Sequence, residues 1–330
     1  MDKYVGILKS LQLKNGLFLA APNPQTGYDR VWIRDTVYSA LGMENYDIKA
    51  SLRAVHGILD IFRKHEWKIS HAIKNRPVHA HEYIHARYHP HTLEEFLEEW
   101  GNKQNDMIGA FLFRCAELIR RGQAVIRDSR DLGIIKKLIS YLETIEYWHD
   151  KDNGMWEENE EVHASSIGAC LAGLRSVSRY VHVPKHLIAN GKKALDTLLP
   201  MESETKGVDM ALLSLVYPYN IVSKRQARKI LRSVEKHLVR ERGVIRYAGD
   251  RYYHNGRGEA EWTMGFPWIA IVYRRLGEMK KYRHYMKKTV FAMNGDGELP
   301  ELYFGGTETH NSNTPLGWSH ALYLAAAANA

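Results

Sequence analysis

Apolar residues recur at helical spacing through almost the whole chain and alternate at strand spacing almost nowhere. This pattern predicts an all-α fold of about a dozen helices, because each amphipathic segment must bury one face against a neighbour. A helical solenoid is the alternative arrangement, but no fixed-period repeat supports it. The predicted helices span residues 2–12, 33–43, 46–65, 92–99, 104–122, 130–148, 163–180, 185–199, 206–216, 223–237, 259–276, 279–293 and 315–328.

The long segments between these helices carry most of the chemically distinctive residues. Long loops in a compact domain are usually functional, and in a double ring of six inner and six outer helices they would gather at one end. No linker rich in Gly, Pro or Ser divides the 330 residues, so we expect one domain over 1–330. The longest predicted loops cover residues 13–32, 66–91, 149–162, 238–258 and 294–314.

Composition excludes several classes of protein. The sequence has no run of about 18 apolar residues, and its N-terminus lacks the pattern of a secretory signal. Its two cysteines, Cys115 and Cys170, lack metal-ligand spacing and are too few for a disulfide framework. We therefore expect a soluble, cytoplasmic protein without a membrane partner.

The net charge of +8 raises the question of nucleic-acid binding. However, the 38 acidic residues are interspersed with the 46 basic ones along most of the chain. Nucleic-acid binding calls for a sustained basic stripe or patch, and the densest basic segments fall at helical spacing on solvated faces. We therefore predict no nucleic-acid partner.

Two carboxylate segments, 154–158 and 299–302, together suggest glycoside hydrolysis. Cleavage of a glycosidic bond requires one carboxylic acid that protonates the leaving oxygen and one carboxylate that activates water. Residues 154–158 contain Glu157 and Glu158, and residues 299–302 contain Glu301. Each segment alone is also compatible with an ordinary loop, so the hypothesis depends on the other motifs that occur with them.

Five blocks occur in the order found in glycoside hydrolase family 15, namely residues 28–35, 100–106, 154–158, 245–250 and 299–301. Over about residues 15 to 325 the chain resembles the glucoamylase, glucodextranase and archaeal trehalase-like members of that family. Residues 153–168 are also similar to the barrel at the head of the phosphorylase kinase α and β subunits. The resemblance implies an (α/α)6 barrel, here without the N-terminal β-sandwich of larger members.

The resemblance implies sugar-binding roles within these blocks. Arg34 and Asp35 would hold the hydroxyls of a terminal glucose, since each hydroxyl both donates and accepts. There are structural alternatives to these roles. Asp35 could be a helix cap, and Arg246 could form a loop salt bridge with Asp250. Trp100 would form an aromatic wall for the sugar ring. The other implied substrate-binding residues are Trp32, Gln104, Asp106, Trp156, Glu158, Arg246 and Trp262.

The same resemblance assigns the catalytic pair. Glu157 would be the general acid, with its pKa raised by desolvation against Trp156 and by the neighbouring carboxylates. Glu301, which follows a proline in a non-helical segment, would be the general base. We expect the two carboxyl groups to lie about 6.5–9.5 Å apart, with room for a water between them.

A histidine-rich segment offers a second chemical possibility. Seven histidines lie between residues 65 and 91, and such density can indicate a zinc or copper site. Their spacing is irregular and no thiolate accompanies them. We predict a mixed loop with one or two sugar contacts, around 85–88, and no metal or other cofactor.

The sequence therefore favours an inverting, exo-acting hydrolase that releases β-glucose from the non-reducing end of small α-gluco-oligosaccharides. The linkage stays open among α-1,4, α-1,6 and α,α-1,1. A non-catalytic, regulatory barrel of the phosphorylase kinase type is the main alternative. A lyase or unsaturated-uronyl hydrolase is the third, which the acidic run 157–161 disfavours because it would repel acidic substrates.

Overall fold

The computed structural model describes residues 1–98 and 100–328, and within them it contains twelve α-helices. None of these helices is long and apolar enough to cross a membrane. The helices are α1 Asp2–Ser10, α2 Ile33–Met43, α3 Ile48–Lys64, α4 Glu66–Lys74, α5 Asp106–Arg120, α6 Ser129–Thr144, α7 Ala164–Val177, α8 Lys185–Leu198, α9 Lys224–His237, α10 Gly265–Arg275, α11 Met279–Phe291 and α12 Gly317–Ala327. Short 3-10 turns lie at Ala80–Glu82 and Met210–Leu215.

Six segments of the described chain form a closed inner ring in which each contacts the next. Their order around the ring is α2, α5, α7, the turn Met210–Leu215, α10 and α12, which returns to α2. Every residue of α2 and of that turn is buried, as expected of segments covered on both sides. Outer helices pack against this ring, for example α1 on α12, α3 on α2, α8 on α7 and α11 on α10. The fold is an (α/α)6 barrel, as predicted.

Two short antiparallel ladders join the loops at the N-terminal ends of the inner helices. Strand β1 (Val31–Trp32) pairs with β2 (Arg87–Tyr88), and β3 (Glu261–Trp262) pairs with β4 (Leu302–Tyr303). Trp32 lies opposite Arg87, and Trp262 lies opposite Leu302, the neighbour of Glu301. The ladders therefore bring together side chains that are far apart in sequence.

The helix predicted over 92–99 is wrong for its described part, and residue 99 lies outside the described residues. Residues 92–98 form a loop in which Leu93 has a φ of +60° and Glu95 makes a β-bridge with Tyr88. The Glu95 carboxylate accepts from Lys68 Nζ at 2.7 Å. Glu95 thus pairs with Tyr88 of β2 and with Lys68 of α4, and these contacts replace the local ones that would favour a helix.

Three further segments differ from the prediction. The helix predicted over 259–276 begins only at Gly265, because Glu261–Trp262 form strand β3. The segment predicted as helix 206–216 is the six-residue 3-10 turn, because Met210 N–H bonds to the Arg246 carbonyl and the Asp209 side chain accepts from Ala211 N–H. Within the predicted loop 66–91, residues Glu66–Lys74 form α4. This helix packs on α6, and that tertiary contact stabilises a segment too short to be stable alone.

Candidate active site

A cavity of about 430 Å³ lies at the N-terminal ends of the inner helices and receives residues from all five sequence blocks. Ten of the twelve predicted site residues line it. They are Trp32, Arg34, Asp35, Trp100, Trp156, Glu157, Glu158, Arg246, Trp262 and Glu301.

The other two predicted site residues, Gln104 and Asp106, lie behind the cavity wall. Both are buried, and Arg34 Nη1 donates to Gln104 Oε1 at 2.8 Å and to both oxygens of Asp106 at 3.2 Å. In this geometry they orient Arg34 and do not reach the cavity. The structure therefore separates them from the residues that a ligand would touch.

Glu157 has a strained backbone and a perturbed carboxyl group. Its φ of +64° is unusual for a residue with a side chain, and such strain is often found at functional sites. Arg34 Nη2 donates to Glu157 Oε1 at 3.3 Å. Burial raises the pKa of Glu157 to about 7, with Arg34 opposing the shift and Asp35 adding to it. Such a group can hold a proton at neutral pH.

Glu158 lies in a different environment from its neighbour. It accepts from Arg246 Nη2 at 2.8 Å, from Lys206 Nζ at 2.5 Å and from the Tyr247 hydroxyl at 2.7 Å. Arg246 also forms a two-pronged pair with the buried Asp250 at 2.7 and 2.6 Å. Three donors already occupy the Glu158 carboxylate and fix its position, which suits a role in binding better than one in proton transfer.

Glu301 is fully buried and hydrogen-bonded through both carboxylate oxygens. The Tyr28 hydroxyl donates to Oε1 at 2.5 Å, and the side-chain amides of Asn311 and Asn313 donate to Oε2. Burial raises the pKa of Glu301, while these three donors oppose the shift. Leu299 N–H donates to His320 Nε2 at 2.9 Å, which anchors the segment. Glu301 is thus a fixed carboxylate with an orientation set by its partners.

Asp35 offers a hydrogen-bond acceptor to the cavity. Asp35 is only 8% exposed, yet no other described residue donates a hydrogen bond to its carboxylate. Burial raises the pKa of Asp35 to about 6, and the neighbouring Arg34 opposes this shift. A carboxylate without a protein donor at a cavity wall can accept from the hydroxyls of a ligand.

Aromatic rings flank the carboxylates on two sides. Tyr28 and Trp32 lie 5.5 Å apart between ring centroids, and Trp100 lies 6.1 Å from Trp32. On the other side, Trp156 lies 5.8 Å from Trp262 and 6.2 Å from Trp318. These walls are apolar and planar, which suits the C–H faces of a sugar ring.

Several cavity residues were not predicted from the sequence. Tyr28 begins the block 28–35, so its aromatic character was a usable signal, whereas Trp318 lies outside the five blocks. Arg87 falls in the 85–88 segment, which was expected to contribute one or two contacts. Tyr252, whose hydroxyl lies 2.9 Å from that of Tyr28, reaches the cavity from a loop without a distinguishing pattern.

The histidine-rich segment is dispersed in the structure. His85 is buried against Trp100, with ring centroids 5.8 Å apart, whereas His79 and His81 are exposed. His65 contacts the Leu93 carbonyl at 2.8 Å. In the described ranges, no three His, Cys, Asp or Glu side chains are grouped so as to hold a metal ion.

Residues 4–181 match the family model described as glycosyl hydrolases family 15. The chain belongs to this family. A solved glycosidase structure superposes with a TM-score of 0.86 at 20% identity, covering 99% of this chain and 94% of that one. The glucoamylase of Saccharomycopsis fibuligera gives a TM-score of 0.69 at 15% identity, covering 98% and 93%. At these identities the likeness concerns the fold.

The curated relatives are of two kinds. An uncharacterized glycosyl hydrolase of Methanocaldococcus jannaschii is 25% identical over 94% of this chain and 52% of its own length. A probable phosphorylase b kinase regulatory subunit beta of Drosophila melanogaster is 25% identical over 82% and 30%. The skeletal muscle alpha subunit of Mus musculus is 23% identical over 95% and 32%. This family 15 chain thus spans between 30% and 52% of the length of these relatives.

Proposed function

We propose that this chain is an inverting, exo-acting α-glucoside hydrolase that releases β-glucose from the non-reducing end of small α-gluco-oligosaccharides. The observation that carries the proposal is that Glu157 and Glu301 line one cavity in unlike environments. Burial raises the pKa of both carboxyl groups, that of Glu157 to about 7, but the two have different partners. Among the described residues, Glu157 accepts from Arg34 alone, whereas Tyr28, Asn311 and Asn313 donate to Glu301, oppose its pKa shift and fix its orientation. The reaction requires one carboxyl group that gives a proton to the leaving oxygen and one that takes a proton from water.

In the proposed mechanism, Glu157 protonates the glycosidic oxygen while Glu301 takes a proton from water attacking the anomeric carbon on the opposite face. Glu157 ends as a carboxylate and Glu301 as a carboxylic acid, and a proton exchange with solvent restores both. The single displacement inverts the anomeric centre. The predicted spacing of about 6.5–9.5 Å leaves room for that water.

Glucose is the proposed sugar at the closed end of the cavity. Asp35 is an acceptor without a donor from another described residue, and the charged side chains of Arg34 and Arg246 line the same cavity. A variant of the solved glycosidase is known in complex with glucose, which supports the choice of sugar. The cytoplasmic location stays a prediction, supported by two buried, unlinked thiols.

The anomer of the first product tests the proposal. We expect β-glucose as the first product from isomaltose, maltose or trehalose, followed by proton NMR before mutarotation. Activity should fall as the oligosaccharide grows beyond two or three units. Inverting or removing one hydroxyl of the terminal glucose should cost about 1–3 kcal/mol, since it leaves a buried charged group unpaired. Release of α-glucose would contradict the inverting mechanism.

The pH dependence of kcat/KM tests the role of Glu157. The proposed acid must be protonated in the free enzyme, so activity should be lost as pH rises through the Glu157 pKa of about 7. Arg87 lowers the pKa of Glu157, so Arg87→Gln should move this alkaline limb to higher pH. Arg179→Gln, a change at an exposed residue of the α7–α8 connection, is the control and should leave the limb in place.

A non-catalytic regulatory barrel is the second candidate, favoured by the similarity to the phosphorylase b kinase subunits. In that case glucose or an oligosaccharide would bind in the cavity without turnover. Calorimetric binding of maltose with no cleavage of any α-glucoside would move this candidate into first place.

A further inference from the structure

Arg87 differs from the other two arginines of the cavity wall in how its charge is balanced. Arg34 pairs with the buried Asp106 and with Glu157, and Arg246 pairs with the buried Asp250 and with Glu158. Each of these arginines therefore has two carboxylate partners within the described residues.

Arg87 has one carboxylate partner in the described part of the chain, and it shares that partner. Its Nη2 donates to Glu98 Oε2 at 2.8 Å, but the Glu98 side chain is 52% exposed. The same carboxylate accepts from Arg30 Nη1 at 2.9 Å. Two guanidinium groups thus share one half-exposed carboxylate as their salt-bridge partner.

The Arg87 side chain is buried among aromatic rings, which fix the guanidinium group but carry no opposite charge. The Arg87 side chain is 9% exposed and lies over the ring of Trp100 at 4.2 Å, with Phe96 at 5.1 Å and Trp32 at 5.4 Å. Its Nε has no hydrogen-bond partner among the described residues. Burial lowers the pKa of His85 to about 3, so that this neighbour stays neutral.

The position of Arg87 in the cavity places its positive charge on the side of the leaving group. Arg87 lines the cavity together with Glu157, the proposed donor to the leaving oxygen, and lowers the pKa of that carboxyl group. Its partner Glu98 is half exposed, so this salt bridge faces solvent, whereas Glu301 is fully buried.

Residues 157–161 form the acidic run that disfavours acidic substrates when the sequence alone is considered. In the folded protein, Glu158, Glu160 and Glu161 each have a hydrogen-bond or salt-bridge partner. Glu158 accepts from Arg246 and Lys206, and Glu160 lies 3.4 Å from Lys103 Nζ. Glu161 accepts from the hydroxyls of Ser203 and Thr205 at 2.6 and 2.9 Å. The cationic partners of Glu158 reduce the expected repulsion.

We propose that Arg87 is an anion-binding residue for the leaving group, so that this chain prefers α-glucosides whose leaving group carries a carboxylate or a phosphate. The proposal deepens the proposed function and rests on it. The anion replaces the exposed Glu98 as partner of Arg87, and a guanidinium binds carboxylate and phosphate with matched, two-pronged geometry.

Matched pairs of substrates test this preference. Values of kcat/KM are measured for maltobionate against maltose, isomaltobionate against isomaltose, and trehalose 6-phosphate against trehalose. We expect the charged member of at least one pair to be favoured about 10-fold or more, since a charge-assisted hydrogen bond has that effect. The carboxylate and phosphate pairs distinguish the two kinds of anion, and the preference should weaken at high salt.

Three variants and a control locate the effect. Arg87→Gln should remove the preference, Arg87→Lys should keep part of it because the charge remains, and Glu98→Gln should increase it because Arg87 loses its competing partner. Arg179→Gln removes an equal charge from an exposed site and should leave the preference unchanged. Equal use of charged and neutral substrates, or a preference that survives Arg87→Gln, would overturn the inference.

Binding provides a measurement that is independent of turnover. Maltobionate and maltose are titrated calorimetrically into Glu301→Gln protein, with and without Arg87→Gln. Tighter binding of maltobionate that depends on Arg87 supports the inference even if no substrate is cleaved, in which case the proposed function alone fails. Equal binding of the two ligands refutes the inference even if both are hydrolysed.

Discussion

Glu157→Gln and Glu301→Gln should each lower kcat by about 10²–10⁴-fold while leaving the fold intact, because each removes one proton-transfer step. Glutamine keeps the size of the side chain and cannot give or take the proton. In Glu157→Gln the loss should be smaller for substrates with a good leaving group, such as p-nitrophenyl α-glucoside, which needs no protonation. Glu301→Gln should be slow with every substrate.

The loop around Glu157 provides matched controls for this experiment. Glu160→Gln changes an exposed carboxylate three residues away, with a side chain that is 45% exposed, and should keep activity near that of the native enzyme. Rates within a few-fold of native for either catalytic variant would reassign its role. If Glu158→Gln were the crippling change instead, the general acid would be the residue after Glu157.

Arg34→Met should lower the free energy of unfolding by about 3–5 kcal/mol, because it leaves the buried Asp106 without its cationic partner. The Arg34 and Asp106 side chains are only 3% and 0% exposed, and their charged atoms lie 3.2 Å apart. Glu157 loses the same partner. Urea denaturation of the native and variant proteins measures the change.

A half-exposed ion pair provides the comparison for Arg34. Arg130 pairs with Glu66 at 3.2 Å, and its side chain is 55% exposed, so Arg130→Met should cost no more than about 1 kcal/mol. The double variant Arg34→Met with Asp106→Leu should recover part of the stability lost in the single variant, since it removes the unpaired charge. Equal stability of Arg34→Met and Arg130→Met would contradict the expected cost of removing the partner of the buried Asp106.

The prediction of the fold succeeded where periodicity reflects burial. The inner helices are buried on almost all sides because the ring covers them, and most of their residues are apolar, so the sequence indicated them as helices. It failed at 92–98 and 206–216, where loops pair with distant strands and side chains. Apart from the bridge between Tyr88 and Glu95, those contacts join residues far apart in sequence, so no local pattern can indicate them.

The sequence by itself determined the helical class, the family and the residue types that could perform the chemistry, because these depend on spacing and on side-chain identity. Only the tertiary structure decided which of these residues share a cavity. It placed Gln104 and Asp106 behind Arg34, brought Tyr28 to Glu301, and left Arg87 with a shared partner at the rim. Burial, pKa and charge balance depend on distances between segments far apart in the chain, and those distances exist only once the ring has closed.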